Sequence, residues 1–218
     1  MKKFLIISKK RYKKLRIKSF YFDYKINKKK IKKLNPTIIF FIFWSKKIEK
    51  NLFKNYTCIQ FHTSDLPKFR GGSPVQNQII KGIKKTKITA FKMNSKIDSG
   101  DICMKRNVNL NGNGEDIYKR IEIIALKMAI KIAKMKKINF IKQLGKVSYF
   151  KRRKPEDSNL ELIKNSNLPK IYDFIRMLDA DGYPKAFLKI GDKKIALNNA
   201  IMSKKSISGY FKIEKLKK

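Results

Sequence analysis

Acidic residues are scarce in this chain: 16 Asp+Glu stand against 55 Lys+Arg, a formal net charge of +39 over 218 residues. Such an excess ordinarily points to a polyanion, either nucleic acid or an anionic membrane surface. Two features weaken that inference. The enriched residues (Lys, Ile, Asn, Phe, Tyr) have codons made mainly of A and T, while Ala, Gly, Pro and His are depleted. A biased genome therefore accounts for the composition without a dedicated partner. Lys also heavily outnumbers Arg, whereas phosphate and base recognition favours the planar Arg fork. The charge still draws phosphates at low salt.

Cysteine is nearly absent. Cys58 and Cys103 lie far apart with no CxxC spacing, which excludes a disulfide framework and a thiolate metal site. Long apolar runs are missing too. Phe4 to Ile7 is four residues, too short for a signal peptide. Thr37 to Trp44 is eight residues, well below the ~20 that a membrane helix requires. A cytoplasmic protein without a membrane partner is expected. What is present suffices for a core: 42% of residues are hydrophobic, which argues against disorder. The length suits one large domain or one domain plus a small appendage.

The N-terminal part alternates strand and helix signals. Phe4 to Ile7 reads as a first strand. Lys25 to Leu34 carries Ile26, Ile31 and Leu34 at helical spacing, and Asn35-Pro36 ends it. Thr37 to Phe43 (TIIFFIF) is continuous, β-branched and aromatic, as in a strand covered on both faces of a parallel sheet. Lys46 to Phe53 is a short helix and Tyr56 to Phe61 another strand, so the rhythm is that of an α/β domain. Ser73-Pro74 reads as a helix N-cap and first helical position, with Gly82 as the stop. Lys87 to Met93 and Ile102 to Leu110 are strands flanking the turn Ile97 to Asp101. Glu115 to about Met135 is a long helix. Its stripe of Ile117, Ile121, Ile124, Met128, Ile132 and Met135 is core packing.

A boundary follows near Lys146, giving a large domain at 1–145 and a small domain at 146–218. Val147 to Phe150 is a short strand and Pro169 to Leu178 a helix. Ala186 to Ile190 and Lys193 to Leu197 form a hairpin, and Ile207 to Ile213 is a final strand. The basic tail after Glu214 is expected to fray.

The single histidine, His62, follows a buried strand and heads the loop HTSDLPKFRGGSP. Ligands of open α/β sheets bind outside the carboxyl ends of the strands, so this placement makes His62 a site candidate. Asp98 lies in the turn IDSGD; alone, an Asp beside glycine is only a turn former. Arg70, Gly71, Gly72 and Ser73 admit two readings, a tight turn with a cap or a backbone that approaches a ligand. The second is preferred because their loop carries His62.

The stretch from His62 to Pro74 resembles the formyltransferase loop HPSLLPxYRGxxP, and Ile97 to Ile102 resembles the same family's LDxGD motif. His62 and Asp98 stand 36 positions apart (98 − 62), in the family's order and separation. Arg153 to Asp157 and Ile171 to Ala186 are similar to the start of the family's small C-terminal domain. The resemblance runs from about Pro36 to Leu197 and is nearest to a short subgroup with an FHxTDLPxxRGGSP loop.

What it implies is a Rossmann-like α/β fold, mostly parallel, with a small C-terminal α+β or β subdomain. The domain would be truncated at its start, since only about 36 residues precede the strand at Thr37. The implied reaction is transfer of a formyl group from 10-formyltetrahydrofolate to a primary amine. His62 and Asp98 are the implied catalytic pair. The family's further oxyanion donor, an Asn two residues before the His, is Gln60 here, one methylene longer. Losing one such donor typically costs ~3 kcal/mol. The folate co-substrate would lie among Trp44, the His62 loop with Ser64, Leu66 and Pro67, and the Asp98 turn. Arg70, Gly71, Gly72 and Ser73 would face the acceptor. An amino sugar on a nucleotide carrier is the first expected acceptor, and methionyl-tRNA the alternative. A basic nucleic-acid-binding protein with a relic site is the reading from another class, and a homodimer is left open.

Overall fold

The computed structural model describes residues 2–8 and 17–215. The expectation for the tail falls mainly on residues 216–218, outside the described ones. Two compact units emerge: Met1–Gly71 with Lys87–Asn107 and Ile121–Tyr149, and Gly72–Thr86 with Val108–Arg120 and Phe150–Lys218.

The first unit is built on β1 (Phe4–Ser8), β2 (Phe20–Asp23), β3 (Ile38–Ile42) and β4 (Thr57–His62), extended by β6 (Lys85–Lys92) and β7 (Ile102–Asn109). The spatial order is β2-β1-β3-β4-β6-β7. The β1–β2, β1–β3 and β3–β4 pairs are parallel, and β4–β6 is antiparallel. Every residue of β1 and β3 is buried. This is what continuous apolar strands require when both sheet faces are covered.

The two faces fill differently. Leu5, Ile7, Ile39, Phe41 and Cys58 pack with Ile31 of α1 (Lys28–Leu34) and with Ile48. On the opposite face the rings of Phe4, Phe20, Phe40 and Phe61 form a chain with centroid separations of 5.0 to 6.5 Å. Asn27 caps α1 from its side chain, and Asn35 ends it in the left-handed conformation, a role to which Asn is suited. α2 spans Lys50–Asn55, and the helix expected from Glu115 is α4 (Gly114–Ala133). β2 carries no strong sequence signal; the sequence reading missed it.

The second unit holds α3 (Pro74–Ile80), α5 (Leu168–Arg176) and an antiparallel sheet of β9 (Ala186–Ile190), β10 (Lys193–Met202) and β11 (Ile207–Lys215) in the order β11-β10-β9. α5 packs on β10. The Arg176 guanidinium, 6% exposed, donates to Leu110 O at 2.7 Å, Gly112 O at 2.6 Å and Asp173 Oδ1 at 2.6 Å. Those bonds satisfy a charge that burial would otherwise penalise.

Ser73 stands at the N-cap position of α3 with Pro74 in its first turn, as expected, but its side chain does not cap the helix. Its φ is 49° and it makes no side-chain cap bond to α3. Its hydroxyl accepts instead from the Arg153 N–H at 3.1 Å. A left-handed residue cannot turn its oxygen back over the first helical turn, so the fold uses the hydroxyl elsewhere. The two remaining strands, β5 (Arg70–Gly71) and β8 (Tyr149–Phe150), have two residues each.

Candidate functional site

β4 delivers His62 as its last residue rather than just beyond its end. Strand alternation puts Gln60 on the same face. His62 is 5% and Asp98 9% exposed. His62 Nε2 lies 2.8 Å from the Phe69 carbonyl. A carbonyl only accepts, so Nε2 carries the proton. Nδ1 then faces Asp98 Oδ2 at 3.5 Å. The same Oδ2 accepts the Gly71 N–H at 2.9 Å. The structure thus brings together the two residues that sequence placed 36 positions apart.

Local backbone makes this meeting feasible. Asp98 has φ 47° and Phe69 φ 62°, conformations that cost free energy in non-glycine residues and persist where surrounding contacts over-determine them. Gly71 has φ 99°. At Gly100 a Cβ would stand 1.6 Å from the Lys92 carbonyl oxygen, so only glycine lets the Asp98 turn lie on β6.

The loop after His62 is held from several sides. Ser64 is fully buried, with its hydroxyl donating to Lys68 O at 2.7 Å and its carbonyl accepting from Thr89 Oγ1 at 2.6 Å. Leu66 is also fully buried, and the Leu66–Pro67 peptide is cis. These residues, expected near the folate, have side chains engaged in shaping the loop. Lys105 Nζ donates to Asp65 Oδ1 and to Leu66 O, the latter at 2.6 Å, and Lys87 Nζ to Asp65 Oδ2 at 2.9 Å. Burial pushes the Asp65 carboxyl up, but the hydrogen bonds and charges of Lys105 and Lys87 outweigh it and hold it below the usual carboxylate range.

Gln60 donates through Nε2 to the Trp44 carbonyl at 3.3 Å. The Trp44 ring packs against Phe41 at 5.9 Å. Its buried indole N–H has no hydrogen-bond partner among the described residues. Arg70 turns to protein: Nε and Nη2 donate to Gln143 Oε1 at 3.2 and 2.8 Å, and Nη1 to the Tyr149 hydroxyl at 3.4 Å. Gly72 falls in the second unit, where a Cβ would lie 2.5 Å from Arg152 Cα; packing against that backbone accounts for glycine there.

Sequence reasoning missed Gln143 and Ser148. Ser148 accepts the Arg70 N–H at 2.9 Å through its carbonyl and the Phe69 N–H at 2.9 Å through its hydroxyl. Both lie in a stretch without periodicity, and their partners are 43 or more positions away. The Lys87 and Lys105 anchors, polar residues on the neighbouring strands β6 and β7, were the one missed feature with a legible signal.

Among the described residues no group of three His, Cys, Asp or Glu residues suits a metal ion. No helix among them is long and apolar enough to cross a membrane.

Comparisons with known proteins identify the family. The formyl transferase family model matches residues 6–130, and a methionyl-tRNA formyltransferase C-terminal domain model matches 155–214. The chain is similar to a methionyl-tRNA formyltransferase of Thermodesulfovibrio yellowstonii, 27% identical over 78% of this chain and 56% of that protein. It thus spans about half the length of the curated relatives it matches. The solved structure of a methionyl-tRNA formyltransferase from Clostridium thermocellum superposes with a TM-score of 0.90 at 39% identity, covering 99% of this chain and 100% of that one. A sugar N-formyltransferase from Shewanella superposes with a TM-score of 0.65 at 19% identity, covering 91% and 97%.

Proposed function

This chain belongs to the formyl transferase family, and on that premise we propose that it moves a formyl group from 10-formyltetrahydrofolate to a primary amine. One observation carries the reading: His62 Nδ1 and Asp98 Oδ2 stand 3.5 Å apart at the end of β4. Attack by a neutral amine on a formyl carbon develops an oxyanion and then sheds a proton. His62 is in the donor tautomer at Nε2, and that N–H exchanges the Phe69 carbonyl for the oxyanion. As the new C–N bond forms and the bond from the formyl carbon to the folate nitrogen breaks, the proton that the amine sheds passes to that leaving nitrogen, giving the formamide and tetrahydrofolate, while Asp98, beside Nδ1, balances positive charge on the ring. Gln60 supports the site through Trp44, to whose carbonyl it is bonded.

The folate fits the residues present. The Trp44 indole N–H is a buried donor without a partner among the described residues, suited to a heteroaromatic ring rich in acceptors. We place the folate beside Trp44 and the Asp98 turn, against the loop that Ser64, Leu66 and Pro67 shape from within, and the acceptor along the backbone of Arg70 to Ser73, whose Arg70 and Ser73 side chains are held by protein groups. In this proposal the chemistry and the acceptor contacts both fall in a catalytic domain at 1–145, followed by a small C-terminal domain at 146–218.

Between acceptors, we favour the methionyl group of a charged initiator tRNA over the amino sugar expected from sequence. Full-length likeness well above chance is with a protein of that name, whereas the likeness to the sugar enzyme carries the fold alone. A net charge of +39 also suits a polyanion. The test is incubation with 10-formyltetrahydrofolate and a panel of charged initiator tRNA, uncharged tRNA and nucleotide amino sugars, following tetrahydrofolate release and the formylated product. Formyl-methionyl-tRNA is expected. Formylation of the sugar alone reverses the acceptor choice, and no release with any amine overturns the reading.

A further inference from the structure

Gln143 sits in an exposed stretch: Ile141 is 66% and Leu144 81% exposed, while Gln143 itself is half-buried. Its carboxamide is saturated. Nε2 donates to Asp98 O at 2.9 Å and to Gly100 O at 2.8 Å, while Oε1 accepts twice from Arg70, at 3.2 and 2.8 Å. Both protons and both lone-pair directions are used, and a flipped amide would set its NH2 against the guanidinium. Ile102 and Ile141 exchange backbone hydrogen bonds at 2.8 and 2.9 Å, which fixes the stretch beside the start of β7.

These contacts close a ring. Gln143 grips the Asp98 carbonyl; the Asp98 carboxylate grips the Gly71 N–H; Gly71 follows Arg70 in the chain; Arg70 returns to Gln143. The ring passes through Asp98 at φ 47°, a conformation that needs outside support. We propose that Gln143 is a positioning residue for the formyl transfer, holding Asp98 against His62 through the turn carbonyls on one side and the Arg70–Gly71 segment on the other. The proposal rests on the catalytic reading given above.

Gln143→Glu separates the two sides. A carboxylate keeps the Arg70 contacts but cannot donate to either carbonyl. The experiment measures kcat and KM for 10-formyltetrahydrofolate, alone and in an Asp98→Asn background, with the thermal midpoint alongside. Expected is a fall in kcat of about 100-fold, the scale on which a misplacement near 1 Å acts. KM should stay within about threefold, because the lost interaction belongs to the transition state. In the Asp98→Asn background the same change should alter kcat by no more than about twofold, since coupled residues are not additive. Retained kcat in Gln143→Glu, or losses that multiply in the double variant, overturns the proposal. Should Gln143→Glu not fold, Gln143→Leu carries the same expectations.

A readout independent of turnover separates this inference from the functional reading. The chain has one histidine, so the imidazole Cε1–H gives one proton resonance. Gln143→Leu should displace it by moving Asp98. An undisplaced resonance overturns the positioning role whether or not the wild type turns over, while an inactive wild type with a displaced resonance overturns only the formyl-transfer reading.

Discussion

β3 and β11 are both rich in β-branched and aromatic residues, yet β3 is buried at every position and β11 exposed at all but its first. β3 lies between β1 and β4, paired in parallel on both edges. β11 is an edge strand paired with β10 alone, and Tyr210 and Phe211 are 71% and 67% exposed. Propensity makes both into strands; position in the sheet decides what each stabilises. Buried parallel strands supply rigidity, and the proposed catalytic His62 stands at the end of β4. The three-stranded sheet instead presents aromatic and basic side chains outward, with Lys212 and Lys215 beside them, a surface suited to contact rather than to core.

The comparison can be broken most directly by cavities. Phe41→Ala removes a fully buried ring and should cost about 3–5 kcal/mol in denaturant unfolding. Phe211→Ser, on the exposed strand, should stay within about 0.5 kcal/mol. Equal costs at the two sites would abolish the distinction. The next largest effect is kinetic: His62→Ala should lower kcat by about 100- to 1,000-fold while folate affinity measured by titration holds, because the donor acts in the transition state.

Smaller effects sharpen the contrast. Burial raises the thiols of Cys58 and Cys103 to about 12. Neither should be alkylated by iodoacetamide at pH 8 in the native protein, and both should react once it is unfolded. Rapid native labelling would mean that the central sheet opens readily.

Asp65 tests how the loop is anchored. Its folded carboxyl lies below the ordinary value although burial opposes this, through Lys105 and Lys87. A depressed carboxylate stabilises the fold fully above the unfolded value of about 3.9, and that contribution is lost as pH falls through the lower folded value. The difference in thermal midpoint between wild type and Asp65→Asn should therefore be constant from pH 7 to about 5 and shrink below about 4. A difference unchanged at low pH would show that charge is not the anchor.

Finally, Gln60→Asn should leave kcat within about threefold, since the shorter amide gives up the Trp44 carbonyl but gains the reach of the usual oxyanion donor. A large loss would mean that the bond to Trp44 is what the site requires.

The amino-acid sequence determined β1, β3 and β4 of the first unit, because continuous apolar runs have few other ways to be buried, and it determined the two motifs that nominate His62 and Asp98. It also carried the long helix, whose period is local. Tertiary structure alone decided that His62 Nδ1 meets Asp98 Oδ2, that Ser73 serves Arg153 rather than α3, and that Gln143 closes a ring with Arg70, 73 positions away. The physical reason is range. Periodicity and turn chemistry act over a few residues, whereas a saturated carboxamide or a left-handed Asp is held by partners that only folding brings within hydrogen-bond distance.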